Sequence, residues 1–550
     1  MKKQLLIFIV LLFSSGAMAQ VVYNSGAGIL SGDGSYWVVS GGNFILTSDF
    51  GGTTTFDNLV VLEGATLTVE AETAVTVNND LTIQGNLVLQ SNENGMAGLL
   101  TNGTVTGVTE STTAQRYMSG NKWHLTSSPL GGQNISELLL ASGNSIAKNG
   151  TSYAMMDYSE GNNSWNNYFT SAVAGTFESG KGYAVLRESN GSVVFGGTIP
   201  ANDVAATVTH TNEGWNLVGN PYPTALGVTS NVASSDNFLT VNSANLDPSY
   251  MALYLWVEED SYDGQRTDYK IINNAGSGSL VMDYVQMGQG FFVKTNSGVN
   301  AVSFTKNMRS IQPDIEFKDA KIPWPSINLT VETAGKGSST AVAFHKSMTK
   351  GLDISFDAGM FKSDPEFALY THLLEDNGVD FSIQCLPDND YNNMVIPVGL
   401  DAPSGKEIKF TALTTNLPEG CKIVLEDKQK GIFTEMNSSG DYYKVTLDKK
   451  SAGIGRFYIH LSDNTTSIEN LEIQDHYDII PQPDFGQIKI FGAVNDNASV
   501  RIFDISGRII TDRPLQQTEL NVVSIGKLKT GIYIVQIQGK NGLFTRKISW

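Results

Sequence analysis

The chain has few of the residues on which most hydrolytic enzymes and metal sites depend. Its 550 residues include two cysteines and six histidines, and the histidines are scattered singly with no His-Glu-x-x-His pair. No Gly-x-Ser-x-Gly nucleophile elbow occurs either. These absences argue against a zinc hydrolase and against a serine or cysteine protease. The sequence therefore predicts no catalytic residue, no metal site and no cofactor.

Basic residues and long apolar runs are also scarce. The chain has 36 Lys and Arg against 55 Asp and Glu, a formal net charge of −19. A chain this acidic repels nucleic acid and anionic membrane surfaces, so no nucleic-acid partner is predicted. Beyond the N terminus no apolar run approaches the length that crosses a bilayer, so no transmembrane segment is predicted.

The N terminus has the pattern of a secretory signal peptide, residues 1–19. Two lysines precede the short apolar run Leu5–Phe13, and the small residue Ala19 fits cleavage before Gln20. The mature chain is therefore expected in the periplasm or beyond, where disulfides form. Cys385 and Cys421 could be joined there or remain two buried thiols, and the sequence leaves both readings open.

The C-terminal stretch, residues 481–550, alternates short apolar strands with Ser-Gly, Thr-Gly and Asn-Gly turns. This pattern predicts a small antiparallel sandwich. Its turns and strands carry a motif of seven residues, Asp504, Gly507, Arg508, Gly531, Tyr533, Gly542 and Lys547. With this motif the stretch resembles the type A C-terminal sorting domain of type IX secretion substrates, which is immunoglobulin-like.

The resemblance implies a destination and partners. Such a domain is an address read by the type IX secretion machinery, so the protein is expected to pass through the periplasm and to be secreted or held at the cell surface. In these substrates the sorting domain is typically removed on export, and many are then attached to surface lipopolysaccharide, which is a candidate anchor here.

Residues 20–110 show short β-runs separated by Gly-, Asn- and Glu-rich turns at intervals of about ten residues. Stacked rungs of a small parallel β-helix would give this pattern, because each rung buries its apolar side against the next. A ladder of sandwich strands is the competing interpretation, and we favour the solenoid.

An internal repeat fills the middle of the chain and predicts two β-modules, residues 111–206 and 207–310. A Trp-x-Leu strand begins each copy, and Trp123 and Trp215 are expected in the core. A Gly-x-Gly-aromatic segment follows later, at Gly180 in the first copy and Gly288 in the second. Both Gly-x-Gly segments lead into apolar strands and not into a helix, so a turn or bulge is favoured over a phosphate-binding loop.

Residues 326–462, after a Pro-containing linker, are predicted to form a β-sandwich. Its segments 396–399, 425–428 and 456–460 resemble those of a domain that often precedes type IX sorting domains and serves as a spacer or binding unit. Asp388–Asn392 starts like a calcium loop but lacks the Gly and Glu that complete one, so a polar hairpin is favoured. The acidic loop 258–263 receives the same interpretation.

Aromatic residues near polar loops of the repeat are the remaining candidates for binding. They are Trp165, Tyr222, Trp256 and Tyr262. Exposed rings of this kind could stack on sugar faces, although Trp and Tyr in β-modules more often serve the core.

The sequence thus predicts an all-β, multidomain, non-enzymatic protein at the cell surface, which acts in adhesion or glycan binding on a glycan or matrix ligand. A secreted polysaccharide hydrolase or lyase, with its cleft on the solenoid, is one alternative. An architectural envelope protein without a ligand is the other.

Overall fold

The computed structural model describes residues 21–51, 54–107, 111–256, 269–275, 282–311, 324–362, 364–389, 394–438, 440–462, 477–492, 498–518, 520–539 and 542–550. The predicted signal peptide with Ala19 and Gln20 lies outside these residues, as does Tyr262. The chain divides into two units. The first contains the described residues of Met1–Glu258, Lys270–Asn274 and Met282–Ala320, and the second those of Glu259–Tyr269, Ala275–Val281 and Lys321–Trp550.

The first unit begins with a β-solenoid, as predicted. Its strands are β1 (Val21–Ser25), β2 (Gly28–Gly32), β3 (Tyr36–Ser40), β4 (Asn43–Leu46), β5 (Thr55–Phe56), β6 (Asn58–Val61), β7 (Thr66–Val69), β8 (Ala74–Val77), β9 (Leu81–Ile83), β10 (Asn86–Leu89), β11 (Gly98–Thr101) and β12 (Val105–Gly107). Three parallel ladders run through it, β3-β6-β9-β12, β4-β7-β10 and β5-β8-β11.

The rungs are held together because apolar residues stack on apolar residues from one rung to the next. Leu59 is paired with Leu81 in the first ladder, and Leu67 with Leu87 in the second. These side chains are buried in one continuous core. Burying a leucine contributes about 1.5–3 kcal/mol, so the in-register stack is the main source of stability here.

The two repeated modules complete the first unit. The first contains β13 (Thr112–Met118), β14 (Trp123–Ser127), α1 (Ile135–Leu140), β15 (Lys148–Asn149), β16 (Ser152–Tyr153), β17 (Met155–Met156), β18 (Tyr158–Ser159), β19 (Ser164–Trp165), β20 (Gly182–Leu186) and β21 (Gly191–Gly197). The second contains β22 (Val204–Thr207), β23 (Trp215–Gly219), β24 (Ala225–Gly227), α2 (Phe238–Val241), β25 (Leu253–Leu255), β26 (Lys270–Ile272), β27 (Tyr284–Val285), β28 (Gly290–Lys294), β29 (Ala301–Phe304) and β30 (Arg309–Ser310).

Strand β13 joins the first module to the solenoid. It pairs in parallel with β10 and antiparallel with β21. The β4-β7-β10 ladder therefore ends against an antiparallel pair of strands, which covers the edge that β10 would otherwise expose. The residue limits predicted for the domains stay predictions.

The two modules share one strand register. In the first, β14 pairs antiparallel with β20, with Ser127 opposite Gly182. In the second, β23 pairs antiparallel with β28, with Gly219 opposite Gly290. A third strand adds to the same edge in both copies, β17 on β20 and β25 on β28. The sequence repeat thus corresponds to a repeat of structure.

The modules meet through their Gly-x-Gly segments, and the contact is reciprocal. The backbone N–H of Ser127 donates to the carbonyl of Gly288 at 2.9 Å, and the N–H of Gly219 donates to the carbonyl of Gly180 at 2.9 Å. Because Ser127 and Gly219 are equivalent in the repeat, as are Gly180 and Gly288, each copy makes the same bond to the other. We call this the module contact.

Two features of the Gly-x-Gly segments follow from the module contact. Gly180 and Gly288 have φ values of +78° and +66°, which favour glycine. A Cβ on Gly182 would lie 2.6 Å from Cγ of Leu217, and one on Gly290 would lie 2.7 Å from the backbone nitrogen of Thr126. The expected turn is present, and the second glycine of each pair also allows the backbones to approach.

Arg116 of β13 reaches the same region. One guanidinium nitrogen donates to the carbonyl of Met287 at 3.0 Å and the other to Oε1 of Gln289 at 2.6 Å. The side chain is buried, and this burial lowers its pKa to about 10. The arginine thus remains charged at neutral pH and ties the first module to the second.

The second unit begins with the predicted sandwich. Its strands are β31 (Ser326–Thr333), β32 (Lys336–Phe344), β33 (Ala358–Gly359), β34 (Ala368–Thr371), β35 (Phe381–Leu386), β36 (Val395–Asp401), β37 (Glu407–Thr415), β38 (Lys422–Asp427), β39 (Ile432–Glu435), β40 (Tyr443–Thr446) and β41 (Phe457–Ser462). They form one sheet in the order β39-β38-β41-β36-β34-β35-β32-β31-β37-β40, with β33 on β35.

This long sheet folds over its own core. Phe410 of β37 packs on Phe457 of β41 with ring centroids 4.8 Å apart, although the two strands lie far apart in the sheet order. Strands from both ends contribute to one apolar cluster. The folded sheet buries its inner face as a sandwich does.

Two of the three segments singled out in the sandwich sequence, 425–428 and 456–460, meet in the structure. Arg456 makes two hydrogen bonds to the carboxylate of Asp427, at 3.0 and 2.8 Å, and this pair is buried. His460 contacts Glu426 at 2.7 Å. Tyr443 of β40 also donates to Asp427, at 2.8 Å, which links the two ends of the sheet. A buried bidentate pair with further hydrogen bonds satisfies both charges.

The C-terminal sandwich has two antiparallel sheets, as predicted. Its strands are β42 (Asp478–Gln482), β43 (Gln487–Phe491), β44 (Ser499–Asp504), β45 (Ile509–Pro514), β46 (Leu520–Ser524), β47 (Ile532–Gly539) and β48 (Gly542–Ser549). One sheet has the order β42-β43-β46 and the other β45-β44-β47-β48. Alternate residues of both sheets fill a common core.

The outer face of the three-stranded sheet packs on the preceding sandwich. Ile480 and Phe491 join an apolar cluster with Tyr370 and Ile454 of that sandwich. The approach is close, because a Cβ on Gly455 would lie 2.3 Å from the backbone nitrogen of Gly492. Among the described residues, no helix is long and apolar enough to cross a membrane.

Candidate functional site

The clearest candidate site is a polar, aromatic segment of the first module, residues 161–168. Every residue in it is exposed, and four of the eight are asparagine. Trp165, predicted from the sequence, is 36% exposed and packs edge-to-face on Tyr158 and Phe292. Tyr168, which the sequence reasoning missed, is 52% exposed. The segment thus presents two rings among amide groups.

Tyr168 is held in place by a second ring. It stacks on Trp123 of β14 with centroids 6.1 Å apart and planes 8° from parallel. Trp123 is half-buried, so the prediction that it lies in the core is wrong in degree. A ring supported on one side and exposed elsewhere offers apolar area to a ligand without a large cost in side-chain entropy.

A small pocket opens beside Tyr168. Its volume is about 240 Å³, and it is lined by Ala147, Lys148, Asn149, Ser152, Ala154 and Tyr168. Lys148 and Asn149 are exposed. The lining thus combines one ring, one ammonium, one amide and one hydroxyl, which are donors and acceptors for a hydroxylated ligand.

The segment is anchored at both sides by polar contacts. Asn166 donates to Oδ1 of Asp157 at 2.9 Å, and Lys181 pairs with Oδ2 of the same carboxylate at 3.0 Å. Burial and the nearby carboxylates of Glu160 and Glu213 raise the pKa of Tyr158 to about 12, so its hydroxyl stays neutral. The backbone that carries Trp165 and Tyr168 is therefore fixed by β18, β19 and these bonds.

Glu160, just before the segment, ties it to the second module. One carboxylate oxygen accepts from the N–H groups of Asn212 and Gly214 at 2.7 and 2.9 Å, and the other accepts from Thr209 and Thr211. Burial opposes ionisation of this carboxyl, but the backbone donors outweigh it and lower its pKa to about 2.

The equivalent position in the second module is filled. Trp215 corresponds to Trp123 but is 5% exposed. Tyr250 packs edge-on against it at 5.6 Å, and the ammonium of Lys294 lies 4.0 Å from the Tyr250 ring centroid. One copy of the repeat therefore carries an exposed aromatic site, and the described part of the other copy closes the same place with its own side chains.

Tyr222 is not a ligand-facing residue, so that prediction is wrong. Its side chain is fully buried. Its hydroxyl donates toward the carbonyls of Phe304 and Asn202, at 2.6 and 3.1 Å. The ring thus anchors the second module from inside. Trp256 is half-buried at the end of β25, and Tyr262 lies outside the described residues.

The histidines that the structure describes have structural surroundings. Burial lowers the pKa of His124 to about 4, and its Nε2 lies 3.0 Å from the carbonyl of Ser119. His372 lies between Asp376 and Asp380, which outweigh burial and raise its pKa to about 9. Within the described ranges, no three His, Cys, Asp or Glu side chains gather as metal ligands would.

The two cysteines and the two acidic loops add no site. Cys385 and Cys421 are not joined in a disulfide, and Cys385 is buried. Asp388 is described, whereas residues 390–393 of the partial calcium loop and the whole acidic loop 258–263 lie outside the described residues.

The motif of the C-terminal sandwich has mainly structural roles. Asp504 accepts hydrogen bonds from Ser506 and Arg508 in a turn where Gly507 has a φ of +83°. Gly531 exchanges two backbone hydrogen bonds with Trp550.

The other motif residues lie in strands. Tyr533 is buried, with its hydroxyl donating to the carbonyl of Lys529 at 2.9 Å. Gly542 pairs with Gly539 at the last hairpin, and Lys547 is exposed.

Comparison with solved structures shows only distant likeness. A biofilm-associated protein, BSP domain, is 10% identical, with 80% of this chain and 92% of that chain covered at a TM-score of 0.15. PorZ, a surface component of the type IX secretion system of Porphyromonas gingivalis, is 10% identical, with 68% and 64% covered at a TM-score of 0.12. At these TM-scores neither indicates a shared fold. No curated protein matches the chain.

Two family models match the chain. One is described as a secretion system C-terminal sorting domain and matches residues 478–549, which confirms the resemblance seen in the motif. The chain is therefore a type IX secretion substrate, delivered to the cell surface or the medium. The other model spans residues 42–460, and neither is described as an enzyme. Because that second model covers more than half of the residues, the chain belongs to the family described as a domain of unknown function, DUF8693.

Proposed function

We propose that this exported protein binds glycans through the first module and acts in adhesion. The observation that carries the proposal is the exposed Tyr168 ring, which stacks on Trp123 and lines a pocket together with two alanines and the polar residues Lys148, Asn149 and Ser152. We call Trp123, Lys148, Asn149, Ser152 and Tyr168 the aromatic pocket.

The chemistry of the aromatic pocket suits a sugar. A pyranose ring has one face of C–H groups and a rim of hydroxyls, so it needs an apolar platform with donors and acceptors at the edge. Tyr168 supplies the platform, and Lys148 and Asn149 supply the edge. The volume of about 240 Å³ is just below the range of about 300–1,000 Å³ typical of small-molecule sites. One sugar residue or a glycan end is the expected occupant.

Attachment of the exported protein to surface lipopolysaccharide, which the sorting domain implies for many substrates, is a second proposal about partners. It concerns anchoring and not the aromatic pocket. The two are separable, because a variant that loses the pocket should still be exported and retained.

The test is glycan-array binding by the purified full-length mature chain. Tyr168→Ala should reduce binding to the recognised glycans at least tenfold, because the platform is removed. Tyr36→Ala is the matched control, since Tyr36 is also 52% exposed but lies on the solenoid. Lys148→Ala should weaken binding by a smaller factor.

Two results would count against this function. One is that the wild-type protein binds no glycan on a broad array. The other is that Tyr168→Ala and Tyr36→Ala bind as wild type does. Equal thermal unfolding midpoints for both variants would show that any loss of binding is local.

A further inference from the structure

The two outer faces of the C-terminal sandwich differ in their surroundings. Ile480 and Phe491, on the outer face of the three-stranded sheet, pack on the preceding sandwich of the same chain. On the four-stranded sheet, Ile509, Ile532 and Ile534 are 53%, 42% and 36% exposed. The preceding sandwich thus covers part of the first face, where Leu520 and Val522 remain 36% and 51% exposed, and the other face presents isoleucine to solvent.

These exposed residues form a row across all four strands. Ile509 of β45 is paired with Phe503 of β44, Phe503 with Ile534 of β47, and Ile534 with Lys547 of β48. Directly paired residues point to the same side of a sheet, so the row crosses all four strands, with half-buried Phe503 at its middle next to a register shift between β44 and β45. We call Phe503, Ile509, Ile532, Ile534 and Lys547 the outer row.

An apolar row on a solvent-facing sheet is unusual. Antiparallel strands with one face in water normally alternate apolar and polar residues, and contiguous exposed apolar area marks an interaction surface. The inner residues of the same strands, Val500, Ile502 and Val535, already fill the core. The outer row is therefore not needed to bury the inside of the domain.

The C-terminal domain as a whole has a positive formal charge. Residues 478–550 contain nine Lys and Arg and six Asp and Glu, a formal charge of +3 in a chain of −19. Arg501 and Arg508 lie on the same sheet or its turn and pair with Asp512 and Asp504, at 2.9 and 3.0 Å. The side chains of Arg501 and Arg508 are 52% and 76% exposed, and exposed ion pairs are weak, so a partner carboxylate could compete for these cations.

The motif residues of the C-terminal domain fall into two groups, those that stabilise the fold and those that are exposed. Asp504, Gly507, Gly531 and Tyr533 form turns, pairings and core, and serve the fold. Lys547 is exposed at the end of the outer row. A surface that binds a partner has to be formed by exposed residues such as Lys547.

We propose that the outer row is the surface by which a protein of the type IX machinery binds this chain. The matching surface on that protein is an apolar strip edged with carboxylates, which would pair with Lys547, Arg501 and Arg508. The preceding sandwich packs on the opposite sheet, so it does not cover the outer row.

The test is export of full-length chain from a host with a functional type IX system. The triple variant I509S/I532S/I534S should fall at least tenfold at the cell surface and in the medium, and should accumulate in the periplasm. The charge variant K547E should reduce export by a smaller factor. Purified variants should still fold, because the substituted side chains are partly exposed, and the fall in unfolding temperature should be no larger than that of the matched double variant L520S/V522S.

Matched controls come from the same domain. L520S/V522S replaces residues that are 36% and 51% exposed on the other sheet, and K527E makes the same charge change outside the outer row. Both should be exported normally. Export of the folded triple variant at the wild-type level would overturn the proposal.

An anionic lipid is the other class of partner that a cationic, apolar surface could bind. If the triple variant is exported normally but loses binding to vesicles that contain lipopolysaccharide, the outer row serves lipid and the proposal fails.

Discussion

The carboxylate of Glu160 is one of the groups that join the two repeated modules. It accepts hydrogen bonds from the loop Thr209–Gly214 on both of its oxygens. Because the donors favour the ionised form, the pKa of this group falls to about 2 from an ordinary 4.5. A lowered carboxyl pKa adds stability above the unfolded value, and this stability is lost as the pH falls through the folded value.

Glu160→Gln should therefore lower the free energy of unfolding at pH 7 by about 2–3 kcal/mol. The deficit relative to wild type should shrink as the pH falls from 4.5 towards 2, since the wild-type carboxylate then becomes protonated. Guanidinium unfolding at pH 7 and at low pH measures both. Glu188→Gln, at an exposed position of the same module, is the control, and equal midpoints for the two variants at pH 7 would refute this role.

At the scale of single residues, the sequence identified candidate aromatic residues but could not show which of them are exposed. Trp165 is exposed as expected, but Tyr222 is buried because its hydroxyl bonds to a carbonyl 82 residues away. A polar loop pattern carries no information about such distant partners. Tyr168 was missed because it stands alone in an asparagine run, and its spacing of three from Trp165 was the one available signal.

At the scale of elements, the module contact explains why each Gly-x-Gly segment needs both of its glycines. The sequence predicted a turn at each Gly-x-Gly, and the positive φ values of Gly180 and Gly288 agree. It could not show that the second glycine of each pair faces the other module. That requirement comes from the approach of two backbones, which no local pattern encodes.

Gly182→Ala and Gly290→Ala should each lower the free energy of unfolding by about 1–3 kcal/mol, because the added Cβ overlaps the facing strand. Gly196→Ala is the control, since a Cβ there meets nothing closer than 3.8 Å. Thermal unfolding of the full chain compares the three. If Gly182→Ala is as stable as Gly196→Ala, the strands do not approach as closely as described.

The solenoid was the element most open to prediction. Its short apolar runs and the turns between them repeat at similar intervals along the sequence, so the repeat itself indicates which residues stack. The fold-over of the long sheet in the second unit was less accessible. It depends on contacts such as Phe410 with Phe457, between strands that are not neighbours in the sheet.

At the scale of the whole molecule, the sorting domain is packed on its cargo. Phe491 is 8% exposed and lies in the apolar cluster shared with Tyr370 and Ile454. The domain was predicted from its own motif. The face that packs on the preceding sandwich was not predicted, because in the sequence Phe491 is indistinguishable from any other apolar strand residue. The address and the last cargo domain therefore form one packed unit.

Phe491→Ala should weaken this packing by about 3 kcal/mol, since it empties a buried site. Hydrogen–deuterium exchange of the full chain should then show faster exchange at residues 453–456, which face Phe491 and Gly492. Phe485→Ala is the control, because Phe485 is 76% exposed in the same domain. Equal exchange in the two variants would contradict a packed contact.

The reciprocity of the module contact has a consequence for assembly. Ser127 and Gly219, equivalent in the repeat, meet each other, which is the arrangement at the axis of an isologous dimer. Here both halves of that dimer belong to one polypeptide, so the self-complementary surface is closed within the molecule. The surfaces that the two modules share are therefore occupied within one molecule and are not free to pair with a second copy.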